Sequence, residues 1–163
     1  MNKYLITKKG FITLEKELLR LTTIARPEVI KSIISAREHG DLKENVEYHA
    51  AREEQAIIEK KVSELEKIKE SIEIVNVSTI KSNNIRFGAT VKVLEKAIDK
   101  ELLYKIVSPY EADIKRREIG ITSPLAKALL GKKVNDYIEF CTPHKIRYLT
   151  VLSIHYIDSS LFE

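Results

Sequence analysis

Between Leu42 and Ser71 the chain holds no glycine and no proline, and Ala51, Ile58, Leu65 and Ile72 recur every seven residues with Val62 and Ile68 between them. Such recurrence is coiled-coil spacing, because a helix at 3.5 residues per turn keeps one apolar stripe against a partner. Glu59, Lys60, Lys61, Glu64, Glu66 and Lys67 fill the other positions and belong to solvent. At 1.5 Å per residue, about 30 residues make a rod of about 45 Å. The partner stripe lies upstream. Thr7 is a serviceable N-cap for a helix carrying Phe11, Leu14, Leu18 and Leu21. Thr22 and Thr23 interrupt it, and Pro27 with Glu28 suits the first turn of a new helix, so a break or kink is expected near 23–27. The second stretch runs to about His39 and is expected to bury Val29, Ile30, Ile33 and Ile34. An antiparallel hairpin of this kind makes a poor compact core and a good carrier for its own tip.

The tip, residues 38–47, has little apolar character and carries Glu38, Asp41, Glu44 and Glu47 at every third position. Gly40 is the natural stop for the incoming helix and Asp41 a good N-cap for the outgoing one. Two readings of the acids stand side by side. Asp41 with Glu44 resembles a capping box, in which both carboxylates serve backbone N–H groups. The same pair, projecting from an exposed turn without His or Cys, also suits half of a Mg²⁺ site, since Mg²⁺ takes one or two carboxylates and fills its remaining positions with water and phosphate oxygens. His39 and His49 straddle the turn with no cysteine beside them and make a poor zinc pair. Tyr48 reads as a packing or tip-shaping residue.

After the hairpin the period changes. Residues 77–84 read as a polar linker between an N-terminal domain, 1–76, and a C-terminal domain, 85–163. Ala89 to Leu94 alternates as a strand, Leu102 to Val107 reads as its hairpin partner, and Ile119 to Ile121 adds a short strand. Ser123-Pro124 caps and opens a short helix that Gly131 ends, and Val134 to Cys141 with Arg147 to Tyr156 complete the sheet. The fold class is α+β, a helical coiled-coil hairpin followed by a mostly antiparallel sheet with one helix. Phe87, Tyr104, Tyr137 and Phe140 read as sheet-core aromatics, and the single cysteine, Cys141, as a small buried apolar residue. Neither a membrane span nor a secretory signal is legible, so the expectation is a cytoplasmic protein. The formal charge is +4, and the whole excess lies after residue 75. That imbalance permits contact with a nucleic acid or an acidic protein surface, but falls short of a domain built to grip DNA.

The run Arg37-Glu38-His39-Gly40-Asp41-Leu42-Lys43-Glu44-Asn45, followed by Glu47-Tyr48-His49-Ala50-Ala51-Arg52, closely resembles the tip signature of the bacterial Gre transcript-cleavage factors. The His49-Ala50-Ala51-Arg52 ending is similar to the GreA branch rather than GreB, and Val46 departs from an expected alanine. Phe87-Gly88-Ala89-Thr90-Val91 and the run Ser123 to Lys132 resemble the C-terminal domain of that family, whose fold is similar to the FKBP prolyl isomerases. Asn135 stands where a glycine is expected, and the last five residues, 159–163, look like an added tail.

The resemblance implies a monomer whose coiled coil enters the secondary channel of bacterial RNA polymerase, with the C-terminal domain docking on the channel rim. It implies that Asp41 and Glu44 hold a Mg²⁺ ion jointly with the polymerase and stimulate cleavage of the 3′ RNA in backtracked complexes, so that elongation resumes. Arg37, Arg52 and Lys43 would contact the displaced RNA, the alternative being charge balance for the tip acids. No independent nuclease is expected. Prolyl isomerase activity would need an aromatic-lined pocket, and the chain has no tryptophan. A rival reading is a regulator that occupies the same channel without promoting cleavage.

Overall fold

The structure, a computed structural model, describes residues 3–41 and 45–158. It divides into two compact units, Ile12–Ile72 and a second made of Lys3–Phe11 with the chain from Glu73 onward.

The first unit is the helical hairpin. Helix α1 (Lys8–Arg20) runs through a π-helical turn, Leu21–Ala25, into α2 (Arg26–Arg37), and α3 (Val46–Glu70) returns against α2. The break or kink expected near 23–27 takes the form of one widened turn in a continuous helical run, in which the Arg26 N–H reaches back to the Leu21 carbonyl, and Pro27 lies in the first turn of α2 as expected. Pro27 explains the widening, since a proline in a closed α-ladder lacks a donor and its ring strikes the carbonyl four residues back. Two threonine hydroxyls bond back along the helix here, Thr22 Oγ1 donating to the Leu18 carbonyl (3.0 Å) and Thr23 Oγ1 to that of Leu19 (2.6 Å).

Within this unit two paired helices bury one narrow stripe each. On α2 it is Val29, Ile33 and Ala36, and on α3 it is Ala51, Ile58, Val62 and Leu65. Ile30 and Ile34, expected inside, lie one step further round the helix and are 41% and 55% exposed. Ion pairs flank the seam, Arg26 to Glu59 (2.7 Å) and Lys69 to Glu15 (3.4 Å). Exposed pairs of this kind add register more than stability. Ile72 does not continue the heptads. It opens strand β2 (Ile72–Val75), which pairs with β1 (Tyr4–Thr7), a two-stranded sheet that the heptad reading missed.

In the second unit a five-stranded sheet has the order β5-β4-β3-β7-β6, formed by β3 (Thr90–Glu95), β4 (Lys100–Val107), β5 (Glu118–Gly120), β6 (Tyr137–Cys141) and β7 (Ile146–His155). All neighbours are antiparallel except β4 and β5. Helix α4 (Pro124–Leu129) supplies Leu125, Ala126 and Leu129 to the core, where they join Val91, Ile106 and Val151. Ser123 caps α4 by accepting from the Ala126 N–H, and Gly131 follows at φ 81, as the sequence implied. Asn135, at φ 74, holds the left-handed turn that invited a glycine, a conformation asparagine tolerates better than most residues.

The amino-terminal strand groups with this unit rather than with the hairpin, in contrast to the 1–76 division read from sequence. The hydroxyl of Tyr4 accepts from the Tyr110 N–H (2.9 Å), and Thr7 donates to the Glu111 carboxylate through both its N–H and its hydroxyl. The Thr7 hydroxyl also accepts from the Gly10 N–H (3.1 Å), which is the expected cap of α1. Two further corrections concern side chains. Cys141 is exposed, because it ends an edge strand whose inward positions are Ile138 and Phe140. Tyr137 is likewise on the outer face, stacked on Tyr148. No helix among the described residues is long and apolar enough to cross a membrane.

A charge is buried in this sheet. Glu95 is 3% exposed and receives the Arg147 guanidinium in a two-point bond (2.9 and 3.2 Å), while Arg147 also donates to the Tyr104 hydroxyl (3.1 Å). The bond to Arg147 holds the Glu95 carboxyl below its usual value against the opposing effect of burial.

Leu65→Ala, at a site 1% exposed, should cost about 2–5 kcal/mol, whereas Ile34→Ala should be near neutral, as read by urea unfolding followed through helical circular dichroism. Arg147→Met, which strands the Glu95 charge, should cost about 3–5 kcal/mol. Because the folded Glu95 value is lowered, its contribution is complete above the ordinary glutamate range and lost as pH falls through the lowered value. Unfolding midpoints should therefore drop on acidification less steeply in Glu95→Gln than in the unaltered protein.

Candidate functional site

The tip is built from the last turn of α2 and the first of α3. A helix ends with carbonyls and begins with N–H groups that lack partners, and a hairpin places both sets together. Here the Ala36 carbonyl accepts from the His39 N–H (3.2 Å), and the chain then turns through Gly40 at φ 125, a region that side chains rarely adopt. Helix α3 starts at Val46, with Asn45 in extended conformation as its N-cap: the Asn45 side chain accepts from the Tyr48 N–H (3.1 Å). The start expected at residue 42 with Asp41 as cap is thus displaced by four residues. Both residue types cap well, and the sequence alone did not choose between them.

This correction matters for the acids. Asp41 is exposed and is not the residue that caps α3. It lines a shallow open concavity of about 460 Å³ together with His39, Asn45, Val46 and Glu47. Glu44 and Lys43 lie outside the described residues. Arg37, in the last turn of α2, and Arg52, in the second turn of α3, are both exposed. Arg52 donates to Gln55 Oε1 (3.2 Å), and among the described residues neither arginine is ion-paired to a tip carboxylate. Tyr48 is half-buried on the seam side of α3 and meets His49 edge-on, with ring centroids 5.5 Å apart.

Asp41 and Glu47 bring carboxylate oxygens to the concavity, hard ligands of the kind Mg²⁺ takes, beside the His39 imidazole and an Asn45 carboxamide already bonded to both helices. Among the described residues no three His, Cys, Asp or Glu converge as a metal cage, and His39 and His49 form no part of one. The residues fit a shared site, in which most coordination positions come from water, phosphate and another protein. Sequence reasoning passed over Asn45 as part of the site. The signal was present as a cap-forming side chain directly before Val46, where α3 begins.

Comparison with known proteins identifies the family. Residues 4–74 match the model described as Transcription elongation factor, N-terminal, and residues 80–156 match Transcription elongation factor, GreA/GreB, C-term. The chain belongs to the GreA/GreB family of transcription elongation factors. GreA of Rickettsia typhi is 44% identical over 159 residues, covering 98% of each chain, and GreA of Rhodospirillum rubrum is 43% identical over 156 residues, covering 96% of this chain and 99% of its own. Among solved structures, GreA factor homolog 1 (Gfh1) of Thermus thermophilus aligns over 94% of this chain and 99% of its own, at 28% identity and a TM-score of 0.45. A GreA/GreB factor from Nitrosomonas europaea aligns over 96% of this chain and 100% of its own, at 18% identity and a TM-score of 0.43. For this GreA/GreB member the matched regions include every residue singled out at the tip.

The backbone at Gly40 gives a direct check on the turn. A Cβ there would meet open space, so Gly40→Ala should cost about 1–3 kcal/mol through backbone strain alone. Thermal unfolding of the hairpin should register the loss, and an unchanged midpoint would contradict the positive φ.

Proposed function

We propose that this GreA/GreB elongation factor binds bacterial RNA polymerase, inserts its helical hairpin into the secondary channel, and stimulates the polymerase's own cleavage of 3′ RNA in backtracked complexes. The observation that carries the reading is the placement of Asp41, exposed on the tip concavity, while the capping role that would have explained it belongs to Asn45.

In this reading Asp41 and Glu44 add two anionic oxygen ligands to a site that the polymerase completes. Mg²⁺ held there would act as a Lewis acid on an attacking water and on the leaving oxygen of the phosphodiester. Arg37, Arg52 and Lys43 supply positive charge beside the acids, suited to the phosphates of the displaced RNA. The narrow seam of Val29, Ile33, Ile58 and Val62 keeps the hairpin two helices wide, which suits a channel. The chain is an accessory factor, whose carboxylates contribute by positioning, with substrate and the first metal coming from the polymerase. The excess of positive charge after residue 75 suits docking of the second unit on an acidic rim.

The test is RNA release from a stalled, backtracked bacterial elongation complex in Mg²⁺. The unaltered protein should release short 3′-derived fragments, and Asp41→Asn with Glu44→Gln should lose that activity by about 100-fold or more while still competing for polymerase. If neither protein releases RNA and both slow nucleotide addition, the chain is a channel-occupying regulator instead.

A further inference from the structure

Asn45 does more than begin a helix. Its Oδ1 accepts from the Tyr48 N–H (3.1 Å) at the start of α3, and its Nδ2 donates to the Ala36 carbonyl at the end of α2, nine residues earlier. The Asn45 carbonyl in turn accepts from the His49 N–H (3.1 Å). Each end of one carboxamide is therefore spent on a different helix. The two partners also fix which way the amide faces, because only one orientation gives a donor to the carbonyl and an acceptor to the N–H. A carboxylate cannot make both bonds, having no proton to donate. A serine hydroxyl keeps the cap but is too short to span to α2.

The cross-tie closes the chain between Ala36 and Asn45, the segment that contains Arg37 and Asp41, into a ring of fixed ends. Closing a loop at its base removes conformations that the helices alone would leave open. Asn45 and Asp41 also line the same concavity. We infer that Asn45 is a positioning residue of the tip: its carboxamide ties the end of α2 to the start of α3 and so holds the Asp41 carboxylate in the geometry that a shared Mg²⁺ site requires. The inference rests on the function proposed above and adds to it a residue that touches neither metal nor RNA.

The experiment separates the tie from the cap. Asn45→Ser retains a good N-cap and loses the bond to Ala36, and Asn45→Asp does the same with the side-chain length kept, whereas Asn45→Ala loses both. In the isolated full chain, hydrogen exchange in Asn45→Ser should speed up at the His39 and Asp41 amides and stay unchanged at Tyr48, with the hairpin melting as in the unaltered protein. In the backtracked complex, the same variant should compete for polymerase normally, cleave about 10–100-fold more slowly at saturating factor, and need more Mg²⁺ for half-maximal rate, the size expected when an orienting partner of a ligand is lost. A cap alone would leave the Mg²⁺ dependence unmoved. Cleavage by Asn45→Ser and Asn45→Asp at the unaltered rate and Mg²⁺ dependence, with Asp41→Asn inactive, would overturn this inference alone. An Asp41→Asn protein that cleaves normally would overturn the functional reading and this inference with it.

Discussion

The contact between α2 and α3 sets the terms for everything at the tip. Within the hairpin unit α2 and α3 bury a narrow apolar stripe against one another, and its members shrink toward the turn: Val29 and Ile33 give way to Ala36, and Leu65, Val62 and Ile58 to Ala51. The residues facing the seam near the turn are small, and the Ala36 carbonyl lies within reach of the Asn45 side chain. Core packing and tip geometry are thus one problem. The hydrophobic effect orders the two helices, a non-directional force, and a few directed hydrogen bonds at Ala36, His39, Asn45 and Tyr48 turn that order into a defined turn.

Much of this is legible in the sequence itself. The seven-residue recurrence from Ala51 to Leu65 specified a helix and its buried face, and the alternation in Thr90 to Leu94 and in Leu102 to Ile106 specified paired strands. What the pattern could not resolve was phase at the ends. By spacing alone Ile72 fits the heptads, but it also begins an alternating Ile-Glu-Ile-Val run, and the strand prevails because β1 is present to pair with it. Ile30 and Ile34 are as apolar as Ile33, but only the angle around the helix decides which of them the partner reaches. At the tip, Asp41 and Asn45 are equivalent as caps on propensity, and the tie to Ala36, available only to the amide, favours Asn45.

Long-range polar pairing was the least visible layer. Glu95 and Arg147 are 52 residues apart and look like ordinary charges on alternating strands, yet they form a buried two-point bond with Tyr104 beside it. The same holds for Glu111, which serves both Ser108 in its own turn and Thr7 at the far amino-terminal end. No periodicity marks such residues, because their roles depend on which strands the topology makes neighbours.

The widened turn at Leu21–Ala25 carries a consequence for how the hairpin can change length. Buried positions step by seven from Leu14 to Leu21 and by eight from Leu21 to Val29, so the π-turn absorbs one surplus residue and keeps the stripe facing α3. Removing one residue there would restore strict heptads, which makes this the place along the rod where a single deletion leaves the apolar face in phase. The obstacle would be Pro27, forced into a closed ladder at a cost of about 3 kcal/mol. Proline, rather than the core, is the lock that keeps the extra residue in this hairpin.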